Sequence, residues 1–148
     1  MRRLHLAAAI LLLSVAVAQL ATAQQAATDT AAARVVAERA ARDWLAVVDS
    51  GRYAESWTQA STVFRAAVTQ PDWERTVGIA RGPFEPFGAR HLLGARYFTQ
   101  LPGAPPGEYV VLQFSTAVGG GRQVIEMITP MKEADGTWRV SGYYVHPH

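Results

Sequence analysis

Apolar residues return at two different spacings along this chain, and the change of spacing divides it. Up to about position 80 they recur every three to four residues, the period of a helix face; from about position 90 they alternate, the period of a strand. From Thr30 onward Ala33, Val36, Ala37, Ala40, Trp44, Val47 and Val48 make one stripe, with Arg34, Glu38, Arg39, Arg42 and Asp43 mostly between them. This pattern predicts an amphipathic helix stopped by Asp49-Ser50-Gly51. A shorter helix follows with Tyr53, Trp57 and Ala60 on one face, then a turn carrying Val63, Phe64, Ala67 and Val68. Thr69-Gln70-Pro71-Asp72 supplies a cap, a first-turn proline and an acid at the positive helix end, so another helix runs from about Pro71 to Ala80 with Trp73 and Val77 facing in.

Gly82-Pro83-Phe84-Glu85-Pro86-Phe87-Gly88 cannot continue a helix, because its prolines lack the amide hydrogen and clash with the preceding turn. Four alternating segments follow: Leu92 to Thr99, Glu108 to Ala117, Arg122 to Lys132, and Trp138 to Val145. The rigid loop Leu101 to Gly107, the hairpin turn Gly119-Gly120-Gly121 and the turn at Asp135-Gly136 separate them. Helices first and an antiparallel meander second predict an α+β fold, with the N-terminal helices packed on one face of a four-stranded antiparallel sheet.

The first 23 residues fall outside that scheme. Arg2 and Arg3, an apolar run from Leu6 to Ala18 broken by Ser14, and Ala21-Thr22-Ala23 form the three parts of a cleavable secretory signal, with cleavage expected after Ala23. The run is shorter than the ~20 apolar residues a spanning helix needs, so no stable membrane span is expected after cleavage. Residues 24–29 have no period and read as a linker, leaving residues 30–148 as a single domain that is periplasmic or secreted. With no cysteine there is neither a disulfide nor a lipidated N-terminus, so packing must hold the domain together. The chain has 14 basic and 12 acidic side chains; Arg2 and Arg3 leave with the signal, so the remainder is formally neutral. That balance removes the electrostatic footprint of a nucleic-acid binder.

Several long stretches resemble a known family. Trp44-Leu45, Ser56-Trp57, Leu101-Pro102-Gly103-Ala104-Pro105, Gly107 through Phe114, Thr129-Pro130-Met131 and Trp138-Arg139-Val140-Ser141-Gly142-Tyr143 are similar to domain-of-unknown-function family 4019, small exported bacterial proteins with no assigned activity. The layout also resembles the cone of nuclear transport factor 2-like and cystatin-like proteins. That resemblance implies a curved sheet with helices packed into it and often a pocket, but no single chemistry.

The candidate chemistry is sparse. Glu126 lies between Val124 and Ile128, opposite a face of Ile125, Met127 and Met131. The more apolar face is taken as the core, which turns Glu126 outward toward a cross-strand arginine; the alternative is a buried pocket acid able to act as a general base. Tyr97, Tyr109, Tyr143, Tyr144 and Trp138 either pack in and on the sheet or line a cavity for an apolar ligand. Arg81, Arg90, Arg96 and Arg139 either pair with acids such as Glu108 and Glu126 or converge on an anion, and Asp49 reads as a turn residue. His146 and His148 read as a frayed tail, with a surface metal site alongside His91 as the alternative. No HExxH, phosphate loop or G-x-S-x-G occurs, and no metal or cofactor is expected. The expected function is a non-enzymatic module that binds a small apolar ligand or a protein partner through the concave side of its sheet. An isomerase or hydro-lyase using Glu126, and an envelope assembly subunit, are the alternatives.

Overall fold

The computed structural model describes residues 2–148, with side chains described for Gln19 and from Thr22 onward. Contacts divide the chain into two units, Met1–Ala32 and Ala33–His148. The first unit belongs to helix α1, which spans Arg2–Asp49. The apolar run proposed as a signal is helical in its backbone, and its side chains up to Ala18 lie outside the described residues. No helix among the described residues is long and apolar enough to cross a membrane. Residues 24–29, expected to be a linker, are helical. Their sequence carries no apolar face, yet alanines favour the helix, and Gln25 donates to Asp29 Oδ1 at 2.8 Å one turn on.

In the second unit α1 buries Ala37, Ala41, Trp44, Leu45 and Val48, while Val36 points away and is 51% exposed. Helices α2 (Tyr53–Gln59), α3 (Thr62–Ala67) and α4 (Gln70–Arg81) follow. Ser61 caps α3 by accepting from the Phe64 amide, and Thr69 caps α4 with Pro71 in its first turn. A 3₁₀ turn, Gly82–Phe84, ends the helical half.

Strands β1 (Phe87–Phe98), β2 (Tyr109–Val118), β3 (Arg122–Lys132) and β4 (Trp138–Pro147) form one antiparallel sheet in the order β1-β2-β3-β4. β1 starts five residues before the predicted Leu92, because Phe87 pairs with Val118 and Arg90 with Thr116 as soon as Pro86 is passed. Register shifts interrupt β1 between Phe87 and Arg90 and again between Leu92 and Gly94, the places where a strand bends. β4 extends through Pro147, so His146 is paired with Ile125 and is not part of a frayed end.

The β2–β3 turn is Gly119–Gly121, with Gly120 and Gly121 at φ of 74° and 70°. Gly119 is needed for a different reason: a Cβ there would collide with the carbonyl oxygen of Glu85.

The core lies between the helices and one side of the sheet, where Val110, Leu112, Phe114, Ile128 and Val140 pack against Ala41, Trp44, Val48, Phe64, Trp73 and Val77. This corrects the expected orientation of β3. Leu112, Phe114 and Thr116 pair with Ile128, Glu126 and Val124, so Glu126 is on the helix side and fully buried, while Met127 faces out. Counting apolar residues chose the wrong side, because an acid that finds two arginines, Arg81 buried and Arg90 half-buried, satisfies its burial better than its hydrophobicity suggests.

Candidate functional site

Burying a carboxylate requires donors, and Glu126 has five. Its Oε2 accepts from Arg90 Nε and Thr116 Oγ1, both at 2.6 Å. Its Oε1 accepts from the Tyr143 hydroxyl at 2.6 Å, Arg90 Nη2 at 3.2 Å and Arg81 Nη1 at 3.3 Å. Arg81 is the last residue of α4 and Arg90 is near the start of β1; Thr116 and Tyr143 come from β2 and β4.

The arginines are themselves bridged. Arg81 Nη2 donates to Asp49 Oδ1 at 2.6 Å, and Arg90 donates to both Asp49 oxygens at 2.6 and 2.8 Å. Asp49 ends α1, where the helix dipole disfavours an acid, so the two guanidiniums are what hold it there. Arg81 Nη1 also donates to the Tyr143 hydroxyl at 2.8 Å, and its guanidinium lies 3.5 Å from the Phe87 ring centroid. Glu85, more exposed, contacts Arg81 Nε at 3.4 Å.

The electrostatics follow from these contacts. Burial works against the charged form of Arg90, but hydrogen bonds and charges from Asp49 and Glu126 outweigh it and hold its pKa above the ordinary guanidinium range. Arg81 is raised in the same way, against burial, by Tyr143, Asp49 and Glu126. The Tyr143 phenol is pushed well up, first by burial and then by the Glu126 charge, with Arg81 pulling the other way.

Chemically, the cluster is closed. Every Glu126 lone pair has a donor, so none is left to take a proton from a substrate. A cleft of about 240 Å³ lined by Arg42, Ala46, Asp49, Gly88 and Arg90 reaches only its Asp49 side.

The remaining candidates do not converge. Tyr143 joins an aromatic group, 5.7 Å from Trp44 and 6.3 Å from Trp73 between ring centroids. Tyr97 and Trp138 pack against the core. The Tyr97 hydroxyl donates to Glu108, and that of Tyr109, a buried side chain, donates to the Pro105 carbonyl. Arg139 contacts Asp135 at 3.8 Å, and Tyr144 stands exposed. Arg90 and Arg81 pair with Glu126 as the acid-pairing alternative expected; Asp49, read as a turn residue, is the member the sequence concealed. Among the described residues no group of three His, Asp or Glu side chains is placed to hold a metal ion.

The sheet's other side carries a groove of about 350 Å³ whose lining mixes apolar and polar surface. Its walls are Leu93, Gly94, Arg96, Phe98, Leu101, Val111, Gln113 and Met127. Tyr144 pairs with Met127 across β3 and β4 and extends the apolar surface.

Helices leading into a four-stranded meander, locked by one buried ionic cluster, define a small α+β domain. The chain belongs to the protein family of unknown function DUF4019, whose model matches residues 40–143. No curated protein matches it. A solved 2.5 Å structure from Catenulispora acidiphila is similar in fold, with a TM-score of 0.53 at 12% identity, covering 80% of this chain and 94% of that one.

Proposed function

We propose that the chain is an exported, non-enzymatic binding module whose contact surface is the solvent-facing side of its sheet. The observation that carries this reading is the outer groove, where Leu93 and Met127 are left 50% and 36% exposed, with Tyr144, paired to Met127 on β4, 73% exposed beside it. Contiguous apolar surface on a small domain is costly in water and is the usual mark of a contact site. The helix-facing side is taken up by the core. Catalysis by Glu126 is disfavoured because the carboxylate is saturated with donors and Tyr143 keeps its proton. Export is supported by the order Arg2-Arg3, apolar run, Ala21-Thr22-Ala23, and suits a domain that relies on no thiol.

The test uses a neutral apolar probe, N-phenyl-1-naphthylamine. Its fluorescence should rise with the unmodified chain, and amide shifts should centre on Gly94, Val111 and Met127. The double variant Leu93→Asp, Met127→Asp should lose the signal while unfolding at an unchanged urea midpoint. Probe binding that persists in this variant would remove the groove from the proposal.

A further inference from the structure

We infer that the outer groove takes a single-chain anionic amphiphile, a fatty carboxylate, with Arg96 as the partner of its head group. The inference rests on the reading of the groove as a binding surface. Of the eight residues in the groove wall, Arg96 is the only charged one; six are apolar or glycine and the other is Gln113. Arg96 is exposed and, among the described residues, has no acidic partner, as is also true of Arg34, Arg39, Arg65 and Arg122; what sets it apart is its place in the groove wall. An unpaired guanidinium beside a largely apolar trough is complementary to an anionic head group that it can grip with two N–H groups, attached to a hydrocarbon; a carboxylate is the simplest such group.

The dimensions agree. A Cβ built on Gly94 would meet nothing within 4 Å, so the floor between Leu93 and Arg96 is open space. From there the outward positions run Gly94, Gln113, Met127 and Tyr144, each paired with the next across the sheet. Three strand spacings at about 4.8 Å give a track of about 14 Å, of which about 10 Å, from Gly94 to Met127, lies in the groove and the last step continues over exposed Tyr144, room for one medium-length acyl chain. A volume of about 350 Å³ is near the lower end for ligand sites and suits one acyl chain better than a two-chain lipid.

Decanoate and decan-1-ol share the chain and differ in the head group, so they separate the charge from the groove. In displacement of N-phenyl-1-naphthylamine from the full chain, decanoate should compete about tenfold better than decanol. Arg96→Gln should erase that preference and leave decanol unchanged. Gly94→Leu should block both, with an unchanged unfolding midpoint. Equal competition, or a preference that survives Arg96→Gln, overturns the carboxylate; probe binding that is still lost in Gly94→Leu would then leave the groove as a neutral binding surface. If Gly94→Leu changes nothing, both readings fall. If the chain sediments as a dimer with the groove covered, a second copy is the occupant and the fatty carboxylate is overturned.

Discussion

Removing Glu126 would leave the buried Arg81 and the half-buried Arg90 with only part of their compensation, and this is where the domain is most sensitive to a single residue. Glu126→Ala should cost about 3–5 kcal/mol in urea unfolding, the range for breaking a buried pair from one side. A loss below about 1 kcal/mol would show the cluster to be dispensable. Tyr143 makes the cluster sensitive to alkali. Its folded pKa is raised, so an unfolded chain gives up that proton first, near pH 10, and above this point stability falls. Tyr97, raised by burial and Glu108, acts in the same direction. Stability measured from pH 9 to 11 should therefore decline, and Tyr143→Phe should flatten most of the decline; an equal slope in the variant would refute the assignment. Little of this was legible in the residues themselves. Pairing between arginines and Glu126 could be anticipated from their types, but Asp49 is 32 residues from Arg81 and 41 from Arg90. An Asp-Ser-Gly sequence looks like local turn chemistry whatever its distant partners.

At the level of elements the period of the apolar residues was a sound guide to type and order. β3 was delimited to the residue, and the triple glycine formed the expected turn. Failures came where something other than apolar periodicity decided. β1 begins early because cross-strand partners were available, which no local pattern records. β3 turns its acid inward because Arg81 and Arg90 come from α4 and β1, so a strand read alone could not reveal its buried side. The aromatic candidates scattered for a related reason. Alternation puts Tyr143 and Tyr144 on opposite faces, one in the core beside Trp44 and the other in solvent. The groove was missed because Leu93, Gly94 and Met127 are unremarkable residues that matter only as neighbours.

For the whole molecule, the family match begins at residue 40, and the side chains of residues 22–29 are exposed. A chain starting at Gln24, the expected product of signal cleavage, should thus match the full chain in unfolding free energy within about 0.5 kcal/mol. A larger loss would mean that the segment before Gln24 supports the fold. The buried ionic cluster has a last consequence, for heredity. Its members come from the ends of α1 and α4 and from every strand, so each position constrains what the others can become. Lineages in which position 126 turned aliphatic should have lost both guanidiniums as well, because a stepwise route passes through a stranded charge that selection would remove.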